Sequence, residues 1–200
     1  LNNGELLNII NSVSIDIKSL ALDRIESEAE TISSYCKGLI KDLALYQDFR
    51  GEREKLENVI RSIAGKIKQV NNHGLELKNL LATLEGHYYT SIIEILKKVN
   101  EKAKKKDIQK LIDELENDLG LVKELDTQLT KVISYNDLFN PDKNPQHKDE
   151  IEKETMKRIV HGDLHDLINK MLNVVVNRTL GIKSKIEKNN PLGKTREFLA

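Results

Sequence analysis

The sequence contains no tryptophan, only three prolines and a single cysteine, and aromatic residues make up 4% of the chain. Each scarcity excludes something. One cysteine, Cys36, leaves no partner within the chain for a disulfide, and no Cys/His spacing resembles a zinc site. So few rings remove most of the stacking surface that single-stranded nucleic-acid binders use, which argues against a nucleic-acid partner. A surplus of either charge is missing too: 32 Lys and Arg balance 32 Asp and Glu, so no global field steers the chain toward nucleic acid or an anionic membrane. No run approaches the roughly 18 apolar residues of a membrane span. The chain opens at Leu1 without methionine and reads as a mature or excised segment, so the lack of a signal peptide says nothing about secretion.

What is present favours helix. Hydrophobic residues are 38% and charged residues 32% of the chain, with Leu, Ile, Lys, Glu and Asp dominant. Two hundred residues suit one domain with a real core. Leu22, Ile25, Ala29, Ile32, Cys36, Leu39, Leu43 and Tyr46 are spaced alternately by three and four, which places them on one helical stripe. Leu6, Ile10, Val13, Ile17 and Leu20 form a similar stripe out of phase with it, predicting a bend near Ser19–Asp23.

After a polar break at Gln47–Gly51, a stripe from Leu56 to Val70 predicts a helix that stops at Asn71-Asn72-His73-Gly74, with Gly74 in the left-handed conformation. Leu77 to Val99 marks the next helix, with a basic tail over Lys98–Lys106. Asp107 is read as the cap of a helix carrying Ile108 to Val132 and ending near Ser134. The segment Tyr135–His147 holds two of the prolines and is the clearest loop. A last helical region runs from Lys148 to Lys188 with a break at Gly162-Asp163, and the chain from Asn189 reads as a mobile tail. Gly38, Gly65, Gly86 and Gly120 fall inside helical patterns, as tolerated residues or as close crossings. The expected fold is all-α, an elongated antiparallel bundle of about five helices in one domain over residues 1–190, with residues 191–200 as the tail.

Motifs for chemistry fail one by one. In HGDLH, His161 and His165 stand four apart, but the zinc-protease pattern needs glutamate where Gly162 stands, and no third ligand is evident. Asp163 reads as a helix cap that leaves both histidines solvated. No histidine is preceded by glutamate at the di-iron spacing. Gly193-Lys194-Thr195 lacks the rest of a phosphate-binding loop, since Lys188 takes the first glycine position. Cys36, on the apolar stripe, reads as core filler rather than a nucleophile. Asn177-Arg178-Thr179 matches a glycosylation acceptor but sits in a helical pattern. No catalytic, cofactor or metal site is expected, and the chain is not expected to be an enzyme.

Two features fit binding instead. Met171, Leu172 and Val174–Val176 form an apolar patch wider than one helix face, as in a helix either central to a bundle or buried against a partner. The loop brings Tyr135, Leu138 and Phe139 together with Asp137, Asp142, Lys143 and His147, a mixture that protein interfaces favour. These seven residues are the candidate partner-binding site.

Helices rich in Lys, Asn, Ile and Leu, such as KKVNEKAKKKDIQKLIDELENDLG (Lys97–Gly120), and the polar loop NDLFNPDKNPQHKDE (Asn136–Glu150) give a further pointer. In these the chain resembles the small helical outer-surface lipoproteins of Borrelia spirochaetes, in particular the factor H-binding proteins of relapsing-fever species. The resemblance implies a virulence protein anchored by lipid to the outer membrane at the cell surface. It would capture a host protein, typically a complement regulator such as factor H, for immune evasion. Cys36 lies within a helix and cannot carry the lipid, so the anchor would lie outside this sequence. A competing expectation is a coiled-coil structural or assembly protein, a homo-oligomer joined through the stripe Leu22–Tyr46. The basic stretch Lys97–Lys106 could touch anionic lipid, but the acidic run Asp113–Asp118 follows at once, and a solvated helix end explains it.

Overall fold

The computed structural model describes residues 2–20, 22–135 and 148–200. All regular structure among them is helical: α1 (Asn3–Leu20), α2 (Leu22–Asp48), α3 (Arg53–Thr83), α4 (Ser91–Ala103), α5 (Lys106–Tyr135), α6 (Lys148–Val160), α7 (Asp163–Asn169), α8 (Asn177–Asn189) and α9 (Pro191–Leu199). Two π-helical stretches, Leu84–Thr90 and Lys170–Val176, join α3 to α4 and α7 to α8. The chain is an all-α helical bundle, as its periodicity requires. No described helix is long and apolar enough to cross a membrane.

The described residues group into two compact units of interleaved segments, Leu1–Ser27, Lys78–Thr127 and Thr179–Ala200 in the first, Glu28–Leu77 and Gln128–Arg178 in the second. In the first unit, Leu6 and Ile10 of α1 are buried, as are Ile92 and Leu96 of α4 and Leu111 and Leu115 of α5. Each such side chain contributes roughly 1.5–3 kcal/mol through burial. The π-helical stretch Leu84–Thr90 hides both Tyr88 and Tyr89, whose rings meet edge to face at 4.9 Å. The hydroxyls of Thr90 and Ser91 donate to the carbonyls five residues back, of Glu85 and Gly86. Burial pushes both phenols above their ordinary pKa range.

The residues expected as a mobile tail form α9. Asn190 (φ 45°) takes the cap position and its side chain accepts from the Gly193 amide, while Pro191 occupies the first helical position. Asn190-Pro191 thus follows the end of α8 and starts α9. α9 packs against α1 and α4, Leu199 is buried, and Asn3 donates to the Leu199 carbonyl at 3.3 Å.

In the second unit the core is built from Ile32, Cys36 and Leu39 of α2, Ile63, Ile67 and Val70 of α3, Leu129 and Val132 of α5, and Leu164 and Leu167 of α7. The expected stop at Asn71–Gly74 does not exist, for α3 runs through it. Gly74 lies on the buried stripe between Val70 and Leu77, and a β-carbon there would meet Ile133 and Leu129 at 3.5 Å. It is a packing position, and its local stop signal is overridden by burial. Helix breaks fall at Gly51 and Gly162, the two described glycines with positive φ (94° and 78°). Gly162 holds the position before α7 and Asp163 is the helix's first residue, which corrects the reading of Asp163 as the cap. Asp107 likewise lies inside the first turn of α5, where its charge suits the helix dipole, and not ahead of it.

Gly65, Gly86 and Gly120 have open space where a side chain would be, so they are tolerated. Gly38 differs, because the Lys66 stem crosses it with Cε 2.8 Å from where a β-carbon would sit. Of the stripe Leu22–Tyr46 of α2, on which coiled-coil pairing with another chain would rest, the residues from Ile25 to Tyr46 are buried within the chain itself.

Candidate functional site

The loop favoured by sequence lies outside the described residues: this holds for Asp137, Leu138, Phe139, Asp142, Lys143 and His147, and for the side chain of Tyr135, whose backbone closes α5. The described residues offer a different site, in the second unit. Residues Ile40, Leu43, Ala44 and Gln47 of α2 form one wall of an open groove. His165, Ile168 and Asn169 of α7 with Leu172 and Asn173 form the other, and Ile159 of α6 completes the lining. Its volume is about 430 Å³.

Helical spacing generates both walls. Residues 40, 43, 44 and 47 lie on one face of α2, and 165, 168, 169, 172 and 173 lie on one face of the segment from α7 into the π-helical stretch. Leu43, Ile159 and Ile168 are buried and make the floor, while Ile40 is 49% exposed at the lip. Gln47, Asn169 and Asn173 supply neutral amide donors and acceptors, and His165 an imidazole. No Asp, Glu, Lys or Arg is among the described lining residues, although 32% of the chain is charged.

Ion pairs outside the groove hold its α2 wall. Asp42, two residues from Ile40 and nearly buried, accepts from Lys66 Nζ and Ser62 Oγ of α3, both at 2.8 Å. Gly38 is what lets the Lys66 stem lie across α2 to reach that carboxylate. Glu28 and His73 add a 2.6 Å contact between α2 and α3, with the Tyr35 ring stacked on the imidazole at 5.8 Å. Arg61 donates to Glu152 at 3.0 Å and ties α3 to α6.

The other chemistry-bearing residues are arranged for structure. Cys36 is fully buried, and burial pushes its thiol up to about 12. His161 and His165 are both exposed, and no group of three or more metal-ligating side chains occurs among the described residues. A second concavity of about 320 Å³, lined by Lys131, Val132, Asp163, Asp166, Leu167 and Lys170, carries charges of both signs and has a different character. In the first unit Glu85 has a carboxyl pKa above the usual range, through burial and then the nearby Asp126 carboxylate. The π-helical turn Lys170–Val176 accounts for the wide apolar patch foreseen in sequence: Met171, Val175 and Val176 point inward, leaving Leu172 at the groove.

Sequence reasoning missed the groove because Ile40 looked like one more apolar residue beside a strong stripe. Its signal was the pair Leu39-Ile40, of which Leu39 belongs to the three-and-four stripe and Ile40 stands one residue off it. Comparison with protein families, curated proteins and solved structures gives no match for this chain.

Proposed function

We propose that the chain is a protein-binding module that seats an apolar segment of a host protein in the groove between α2 and α7. The partner class is a complement regulator of the factor H type, and the setting is the bacterial surface, both as the sequence resemblance implies. One observation carries the reading: in a chain in which 32% of residues are charged, the lining of an open groove of about 430 Å³ has no charge among its described residues. The centres of protein interfaces are depleted of charge in the same way, with apolar anchors seated among neutral polar groups. A volume of this size lies within the range of about 300–1,000 Å³ typical of ligand clefts. Nothing in this reading asks for catalysis.

Binding of purified factor H to the immobilised chain tests it. Ile40→Asp places a charge at the lip without disturbing the core. It is expected to weaken binding by roughly 30-fold, the loss of one anchor of about 2 kcal/mol. Equal affinity in the variant would remove the groove from the account.

A further inference from the structure

We propose that the lysine-rich turn between α4 and α5 binds a linear sulfated polysaccharide. From Lys97 to Lys110 the chain carries seven lysines against two acidic residues, Glu101 and Asp107, although its overall formal charge is zero. All seven lysines are exposed. Lys97 is paired with Glu116 at 2.8 Å; no ion pair engages the other six among the described residues.

A solvated helix end explains only part of this concentration. Lys98 and Lys102 suit the negative end of α4, but Lys105 and Lys106 stand at the start of α5, where the helix dipole disfavours a cation. Lys104 ends α4 in the left-handed conformation, φ 48° and ψ 45°, where glycine or asparagine is the usual choice. A side chain there costs on the order of 1 kcal/mol. The turn is instead closed by Asn100, whose side-chain oxygen accepts from the Lys105 amide at 2.9 Å, so none of the lysine ammonium groups is needed to shape it.

The type of cation selects among anionic partners. No arginine and no aromatic residue occurs between Ser91 and Leu115, so neither the bidentate fork that reads phosphates and base edges nor a stacking ring is at hand. None of the large exposed apolar residues falls between Lys97 and Lys110, so nothing here would insert into a bilayer. What remains is a set of mobile point charges, each with three rotatable donors, suited to a flexible chain with closely spaced sulfate esters.

Titration of the full chain with a heparin-derived oligosaccharide at low and physiological salt tests the proposal. The variant Lys104→Gly/Lys105→Gln/Lys106→Gln is compared with Lys41→Gln/Lys153→Gln/Lys157→Gln, which removes the same charge from exposed positions elsewhere. The turn variant is expected to bind at least about tenfold more weakly with a shallower salt dependence, and the second variant to bind like the native chain. Circular dichroism must show equal helicity in all three. Equal losses in both variants, or no binding by the native chain, would overturn the proposal. So would binding of a single-stranded RNA or of phosphatidylserine vesicles as tight as that of the oligosaccharide.

Discussion

Cys36 and Ile40 stand one turn apart on α2, yet the thiol is fully buried and the isoleucine is 49% exposed. A helix turns 3.6 residues per revolution, so a step of four drifts off the stripe, and the edge of the stripe decides what each residue can do. With its thiol pushed up to about 12, Cys36 has almost no thiolate at pH 8. It is expected to resist alkylation by iodoacetamide in the folded chain and to react fully in denaturant. The same contrast predicts stabilities. Ile32→Ala is expected to cost about 2–5 kcal/mol because it empties a core position, whereas Ile40→Asp is expected to stay within about 0.5 kcal/mol of the native chain. Urea unfolding of the two variants measures both. Burial of Cys36 was legible from the stripe alone; exposure of Ile40 was not, because it depends on what the neighbouring helix leaves open.

Helices were legible where spacing was long and regular, and their ends were legible where glycine takes positive φ, as at Gly51 and Gly162. The reading at Asn71–Gly74 failed because tertiary burial of Gly74 overrode residues that stop helices in isolation. At Asn189 the helix does stop, and what the sequence did not show is α9 beyond it, with Leu199 buried. Because Gly74 is an interior helical residue with its would-be β-carbon 3.5 Å from Ile133 and Leu129, Gly74→Ala is expected to raise stability by roughly 0.5–1 kcal/mol. A glycine holding a left-handed helix end would respond in the opposite sense, so thermal unfolding of this one variant separates the two. The π-helical stretches left no trace in the periodic pattern, since one extra residue in a turn looks like a small phase error.

Across the whole chain, charge balance hides local contrast. A net charge of zero coexists with seven lysines over Lys97–Lys110 and with a groove whose described lining bears no charge. The all-α class followed from composition and spacing, because amphipathic stripes of this length have few other ways to bury themselves. The groove did not follow, because its residues come from α2, α6, α7 and the π-helical turn, and only the packing of those elements brings them together. The loop that sequence favoured lies outside the described residues, so the protein-binding account rests on the groove. Ile40→Cys allows the most direct test, because buried Cys36 leaves the new thiol as the one a photoreactive crosslinker can reach. The account predicts that purified factor H is crosslinked from position 40 and not from a cysteine at exposed Lys153. Binding of factor H with no crosslink from position 40, or with equal crosslinking from both positions, would contradict it.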